Sequence, residues 1–126
     1  MPNIIITLPE ALWEAIQSGR KKYECRKSLP KIELWESKVY VVIKGTSTVA
    51  GYFTVADIIS SRDPEALWRD YGKHLCINRE WFNRYVSGYS GIIHLWEVGK
   101  VKTLEGVNAE DLGIKRNPQS YIYTER

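Results

Sequence analysis

Cysteine and histidine are both scarce in this sequence, with only two of each among its 126 residues. Cys25 and Cys76 lie far apart and form no CxxC pair, and the two histidines complete no zinc-ligand pattern. We therefore expect no bound metal and no cofactor. We interpret the cysteines as reduced thiols of a cytoplasmic protein, with a disulfide between them as the less favoured alternative.

Long hydrophobic runs are also missing from the chain. No apolar stretch approaches the roughly 18 residues that a membrane span needs. The N-terminal segment MPNIIITLPEAL has neither a basic region nor a small-residue cleavage site, so we expect no secretory signal. What the chain does contain is 44% hydrophobic residues, enough to bury a core. At this length we expect residues 1–126 to form a single domain.

Positive charge is concentrated in one segment of the sequence. Six basic residues and a single acid, Glu24, lie between Arg20 and Lys31, whereas the formal net charge of the whole chain is only +3. A local excess of this kind is typical of an anion-binding patch, and a nucleic-acid backbone is the commonest large anion. The alternative is a solvated charge run.

The hydrophobic pattern predicts an α+β fold. Helices are predicted over 8–19, 63–75 and 78–88. Gly19 is expected to end the first as a left-handed cap, and Asp63 and Asn78 are expected to be the N-caps of the other two. Strands are predicted over 3–7, 21–27, 39–45, 49–60, 91–104 and 119–125, with Gly51 as the site of a bulge. Because most strands follow one another directly, we expect a mainly antiparallel, closed sheet.

The segment KKYECRK raises the question of function. If it is a strand, Lys22, Glu24 and Arg26 share one face, and the two intervening residues form the core face. The simple interpretation is an ion-pair ladder of little energetic value. The alternative is a pocket wall in which Arg26 offers a planar fork to a carboxyl group, a phosphate or a base edge. Lys21, at the junction with the preceding helix, can join the same cleft.

At this segment the sequence resembles a known family. Residues Gly19 to Arg26 match the G-x-K-x-x-E-x-R signature of ASCH domains, which are small β-barrel domains of the PUA-like superfamily. The resemblance covers nearly the whole chain. The helix pair over 64–88 resembles the helical insertion of one ASCH subgroup, and NPQSYIY resembles the ending of that subgroup. One departure is the loop Lys44–Thr48, where that subgroup has an aromatic, a small residue and a Ser-Pro pair.

The resemblance implies a PUA-like, mainly antiparallel β-barrel with flanking helices. It also implies binding of RNA or of a modified nucleoside in a cleft beside the barrel. If the ligand is RNA, we expect it to be single-stranded. Alternatively, the domain is a small hydrolase that acts on acylated pyrimidine nucleosides, or a ribonuclease. The ligand-binding residues implied are Lys21, Glu24 and Arg26 in the cleft, Thr46 and Ser47 as turn donors, and Gln119 and Ser120 at the rim. Lys44, which departs from the pattern of the family, is a further ligand-binding candidate of this sequence.

The residue chemistry is compatible with binding and with catalysis. A binder would use Lys21, Lys22 and Arg26 for phosphates, and Tyr23 or a tryptophan to stack on a base. In an enzyme, neighbouring cations would favour a neutral Lys21 amine as base or nucleophile, and Glu24 would carry the proton. A third interpretation is a protein-interaction domain whose basic patch docks an acidic partner.

A few further side chains carry expectations of their own. Glu97 shares strand parity with two apolar neighbours, so we expect a buried carboxylate that pairs with Lys44, Lys21 or Arg26. Trp35 lies in a polar loop and is expected to be exposed. Core packing is expected of the aromatic residues in the predicted helices, which are Trp13, Trp68, Trp81 and Phe82.

Overall fold

A computed structural model describes residues 2–126, in which six strands form one sheet and three α-helices flank it. The strands are β1 (Asn3–Leu8), β2 (Tyr23–Arg26), β3 (Lys38–Ile43), β4 (Val49–Ser61), β5 (Ile93–Thr103) and β6 (Ile122–Thr124). The helices are α1 (Glu10–Gln17), α2 (Pro64–Tyr71) and α3 (Arg79–Val86), with short 3₁₀ turns at Leu34–Glu36, Gly72–His74 and Ala109–Leu112. None of the helices in this part of the chain is long and apolar enough to cross a membrane.

The strands lie in the order β2-β5-β4-β3-β1-β6, and only the β1–β3 pairing is parallel. The predicted α+β class and mainly antiparallel sheet are therefore confirmed. The strands β2 and β6, at the two ends of this order, do not pair with each other, so the sheet is a curled half-barrel and not the closed sheet expected. The two edges are linked instead by Arg26 Nη1, which donates to Ser120 O at 3.1 Å, and by Lys31 N, which donates to Tyr123 Oη at 2.9 Å.

Both faces of the central strands are buried, which explains their continuous apolar runs. In β1, Ile4 belongs to the core inside the curled sheet, whereas Ile5 packs with a second cluster on the other face. Strand β5 behaves in the same way, because Trp96 enters the interior core and Leu95 packs outward beneath α2 and α3. Side chains of either parity in these strands can therefore be buried.

Local chemistry fixes the helix positions. Asp63 Oδ1 accepts a hydrogen bond from Ala66 N at 3.1 Å at the start of α2. Asn78 Oδ1 accepts one from Trp81 N at 2.7 Å at the start of α3. Both caps satisfy N–H groups that have no partner within the helix, and both were predicted from the sequence.

The packing of α1 depends on a close approach at Gly51. A β-carbon at this position would lie 2.6 Å from the Trp13 ring and would overlap the carbonyl oxygen of Lys102. Next to it, the β3–β4 register shifts between Val41 and Val42, so the bulge expected near Gly51 is present. Glycine thus lets the indole of α1 lie directly on the sheet.

Candidate functional site

A pocket of about 930 Å³ opens between β2, the start of α1, the start of α3 and the C-terminal segment. Its lining comes from residues within 7–12, 21–28, 44–45, 76–85 and 117–120. The volume falls in the range of roughly 300–1,000 Å³ that is usual for ligand sites. The basic segment singled out in the sequence forms one wall of this pocket.

At the base of the pocket lies a buried charge cluster, which we call the Lys21–Glu24–Arg26 cluster. Lys21 is 2% exposed, and its Nζ donates to the Leu75 carbonyl at 2.7 Å and lies 3.3 Å from Glu24 Oε1. The other carboxylate oxygen, Glu24 Oε2, accepts from Arg26 Nη2 at 2.7 Å and from Arg26 Nε at 3.0 Å. Arg26 also donates to Ser120 O, so it joins the cluster to the pocket rim.

Backbone geometry explains why Lys21 turns inward. Gly19 ends α1 with a φ of +80°, and Lys21 N then donates to Ala15 O at 3.0 Å, so strand β2 starts only at Tyr23. Facing it, Cys76 has a φ of 57° and is the single non-glycine residue of 2–126 with a positive φ. This left-handed residue directly follows Leu75, whose carbonyl oxygen accepts the hydrogen bond from the Lys21 amine.

The electrostatics of Glu24 follow from its two cationic neighbours. Burial alone raises the pKa of a carboxyl group. In Glu24 that effect is outweighed by the charge and hydrogen bonds of Arg26 and then of Lys21, so its pKa lies below the ordinary value. The buried amine of Lys21 is thus paired with the Glu24 carboxylate, whereas the expectation of a neutral amine rested on the neighbouring cations alone. The expectation of a neutral Lys21 loses its main physical argument.

The two pocket cysteines differ in their surroundings. Burial, followed by the nearby Glu24 carboxylate, raises the pKa of Cys25 to about 12. Cys76 is half-buried, and both thiols are free. No group of three or more possible metal-ligating side chains occurs in residues 2–126. The raised pKa makes Cys25 a poor nucleophile, because the thiolate is the reactive form.

The alternation of side chains along β2 did not predict the burial of Glu24. Glu24 was assigned to the face opposite the core, yet it is only 5% exposed, because it points to the side of the sheet that carries Trp96. Lys22 is exposed and lies outside the pocket. Tyr23, considered as a stacking residue, packs edge-on against Tyr71 of α2, with ring centroids 5.1 Å apart. Neither of the two contacts the pocket.

The remaining predicted residues divide into two groups. Lys44, Gln119 and Ser120 line the pocket. Thr46 and Ser47 do not. In the turn, Thr46 Oγ1 donates to Ile43 O at 2.9 Å, and the backbone carbonyl of Ser47 accepts from Ala109 N at 2.8 Å. The expectation that these two hydroxyl residues offer donors to the cleft does not match their position.

The interpretation of Glu97 as a buried partner of a pocket cation is wrong. Glu97 is half-buried, stands opposite Tyr23 in the β2–β5 register and lies outside the pocket. In the described part of the chain it pairs with none of the three cations considered for it. Its parity matches that of Leu95, which faces outward toward the helices, whereas the interior belongs to Trp96.

The exposure of the aromatic residues was also predicted only in part. Trp35 is 60% exposed, as expected, but it lies away from the pocket. Trp81 was expected in the core and is instead 42% exposed on the pocket wall, stacked on Tyr85. The four-residue spacing of Trp81 and Tyr85, beside the Phe82 stripe, was the signal for a second apolar face of α3.

Comparisons with known proteins agree with this architecture. No family model matches the chain, and no curated protein matches it. Among solved structures, ASCH from Zymomonas mobilis matches with a TM-score of 0.83 at 20% identity, over 98% of this chain and 88% of that one. A serine-to-alanine mutant of the protein, named ZmASCH, matches with a TM-score of 0.84 at 19% identity, over 98% of this chain and 89% of that one. A tyrosine-to-phenylalanine mutant gives 0.83 at 20% identity, over 98% and 91%.

At such identities the likeness establishes the fold alone. The chain has the ASCH-domain fold, and the resemblance inferred from the G-x-K-x-x-E-x-R segment is confirmed at that level. The match spans nearly the full length of both chains, so it includes the strands and helices that form the pocket.

Proposed function

We propose that this protein binds single-stranded RNA and takes one nucleoside unit of the strand into the pocket. The observation that carries the proposal is the Lys21–Glu24–Arg26 cluster at the pocket base, where two buried or half-buried cations share one carboxylate. The cluster retains an excess of positive charge that a ligand can neutralise.

The hydrogen-bonding capacity of the cluster favours a ligand rich in acceptors. An ammonium group has three N–H donors and a guanidinium has five. Lys21 uses two of its donors on Leu75 O and Glu24, and Arg26 uses three on Glu24 and Ser120, within the described residues. Donors remain on both side chains, while both oxygens of Glu24 are already engaged. Phosphate oxygens and base carbonyls are acceptors of the required kind.

Further positive charge lies along the pocket lining. Lys27 and Lys44 both contribute to it, so four basic residues and one acid surround the space. A strand entering the pocket would keep its flanking phosphates near these lysines. Because phosphate contacts release counterions, binding of this type weakens steeply as salt rises, whereas an uncharged nucleoside alone would be nearly indifferent to salt.

The proposal is tested by fluorescence anisotropy with a labelled single-stranded RNA at low and raised salt. Replacing Lys21 and Arg26 together by Ala should weaken binding by about 1–3 kcal/mol if they donate charge-assisted hydrogen bonds. The matched control replaces Arg20 and Lys22, two exposed cations of the same segment outside the pocket. Thermal unfolding of each variant verifies that it is folded at the assay temperature.

The outcomes separate a pocket from a charge run. Equal losses in the two double variants would assign the binding to undirected surface charge. Equal affinity of the wild type and the Lys21/Arg26 variant at low salt would refute the proposal. Binding that does not respond to salt would also contradict it, because the phosphate contacts would then be missing.

A second candidate, a hydrolase of acylated pyrimidine nucleosides, is favoured by one contact. Lys21 Nζ lies 3.3 Å from Glu24 Oε1, so an amine and a carboxylate are adjacent in an enclosed pocket. Hydrolysis would add water across the acyl C–N bond, with Lys21 as base or nucleophile, Glu24 as proton carrier and Arg26 as donor to the oxyanion. For this reaction Lys21 must first lose a proton. The Glu24 carboxylate is a poor acceptor for that proton, because its pKa is lowered. For this reason we place binding first.

Chromatography of an acetylated cytidine incubated with the protein tests this second candidate. If Lys21 is the base or nucleophile, Lys21→Arg should abolish turnover, because a guanidinium stays protonated at any working pH. Indistinguishable rates for wild type and Lys21→Arg would remove Lys21 from the mechanism. Lack of turnover by the wild type over a panel of acylated nucleosides would leave the binding function alone.

A further inference from the structure

One wall of the pocket is aromatic and has no part in the function proposed above. Trp81 and Tyr85 of α3 lie with their ring centroids 5.0 Å apart and their planes 15° from parallel. Trp81 is 42% exposed, although it is among the largest apolar side chains of the chain. Tyr85 stacks on one face of the indole, and the partly exposed Trp81 ring lies on the pocket wall.

This wall is held in place by contacts on both of its residues. Trp81 N donates to Asn78 Oδ1 at 2.7 Å, which fixes the first turn of α3. The hydroxyl of Tyr85 accepts from Lys27 N at 3.2 Å, and Lys27 Nζ lies over the Tyr85 ring, 4.5 Å from its centroid. Tyr85 is therefore tied to Lys27, the residue after β2, and the Trp81 ring stacks on Tyr85, so a ligand would meet a surface that is already partly ordered.

We propose that Trp81 is the platform on which one base of the RNA strand stacks, with Tyr85 supporting the indole from behind. The inference rests on the proposed function and names the part of the ligand that meets this wall. A nucleotide joins a planar ring to an anionic phosphate. It therefore satisfies at once an open aromatic face and the cations Lys27 and Arg26, which line the same pocket. Stacking tolerates any base, because every base has a π face.

The direct test compares Trp81→Ala with Trp81→Phe in binding a single-stranded oligouridine. Stacking on an aromatic side chain is worth about 1–3 kcal/mol per base, so Trp81→Ala should raise the Kd about 5- to 140-fold. Trp81→Phe keeps a stacking ring and should stay within about threefold of the wild type. A sugar-phosphate oligomer of the same length without bases should bind both variants as it binds the wild type, because it has nothing to stack.

Trp35→Ala is the matched control, since Trp35 is more exposed than Trp81 and lies outside the pocket. We expect it to leave the affinity for oligouridine unchanged. If Trp81→Ala binds oligouridine as the wild type does while the Lys21/Arg26 variant loses binding, the platform is refuted and the proposed function stands. An equal loss for the abasic oligomer would also refute it, since the role of Trp81 would then be structural.

Two further outcomes would overturn the inference together with the function it rests on. One is that the wild type binds no single-stranded RNA at low salt. The other is that an acidic peptide containing an aromatic residue binds more tightly than RNA of equal charge, because the same wall and cations would then serve a protein partner.

Discussion

Glu24→Gln is the change that most sharply tests the physical account of the charge cluster. The substitution keeps the shape of the side chain and removes its charge. Glu24 is 5% exposed and lies between Arg26 Nη2 at 2.7 Å and Lys21 Nζ at 3.3 Å. The variant therefore leaves the Lys21 ammonium buried without a carboxylate partner.

The expected loss of stability depends on which contacts of the side chain remain in the variant. Removing one partner of a buried ion pair typically destabilises a protein by about 3–5 kcal/mol. The amide oxygen of glutamine can still accept a hydrogen bond from Arg26, so we expect a loss near the lower limit, about 3 kcal/mol. For a chain of this length, that corresponds to a fall of roughly 10 °C in Tm. A stability of about 5–15 kcal/mol would leave the variant folded at room temperature.

The loss should also depend on pH, in a direction that the pKa of Glu24 fixes. That pKa lies below its ordinary value of 4.5, so the unfolded chain takes up the proton before the folded one does. The stabilising contribution is complete above the ordinary value and is lost as pH falls through the lowered pKa of the folded state. The difference between wild type and Glu24→Gln should therefore be largest near neutral pH and shrink in acid.

Urea unfolding at several pH values between neutral and acid measures this difference. Glu97→Gln is the matched control, because it makes the same chemical change in a half-buried acid of the neighbouring strand that has no ion pair within the described residues. We expect it to cost about 0.5 kcal/mol or less. Equal unfolding free energies for wild type and Glu24→Gln at neutral pH, or a difference that does not change with pH, would refute the reasoning.

Three other changes follow from single contacts. Gly51→Ala should lower the free energy of unfolding by about 3 kcal/mol, because the added carbon would lie 2.6 Å from the Trp13 ring; a loss under about 1 kcal/mol in urea unfolding would contradict this. Iodoacetamide near pH 8 should alkylate Cys76 before Cys25, since burial and a neighbouring carboxylate raise the pKa of Cys25 to about 12. Peptide mass spectrometry that found equal labelling would refute this order. Cys76→Val should cost about 1–3 kcal/mol more than Cys76→Gly, because a φ of 57° suits glycine and not a β-branched residue; the reverse order in thermal unfolding would refute it.

Features governed by local chemistry were predictable from the sequence. The caps Asp63 and Asn78, the left-handed Gly19 after α1 and the irregularity near Gly51 were all predicted and are present. Each depends on groups within a few residues along the chain, such as an orphan N–H or a φ that only glycine adopts freely. The strand order was not predictable in the same way, because the single parallel pair β1–β3 depends on contacts made across the whole chain.

The wrong predictions of burial at the site have a shared cause. The alternation of side chains along a strand shows which residues share a face of the sheet, but not what packs against that face. Both faces of β2 and β5 are covered, so alternation could not tell Glu24, which is buried in the cluster, from Glu97, which stands outside it. The loop over 29–38 was interpreted as polar, yet it carries Leu34 at 2% exposure into the core. The sequence predicts Trp81 in the core because α3 is apolar on two adjoining stripes, and only the packing shows which stripe is covered.

The free-energy cost of burying the charged Lys21–Glu24–Arg26 cluster bears on whether its role is only structural. Apolar side chains of similar volume in place of a buried ion pair often leave stability unchanged or raise it. A purely structural role is therefore poorly served by Lys21, Glu24 and Arg26, which leave more positive than negative charge in a confined space. Fold stability alone would equally favour covering Trp81, which instead stands open on the same pocket. Excess charge and an open aromatic face are each unfavourable in the free protein, and one ligand that combines acceptor oxygens with a planar ring would relieve both. That coincidence within a single pocket is why we place the function here and not on the exposed cations of the same basic segment.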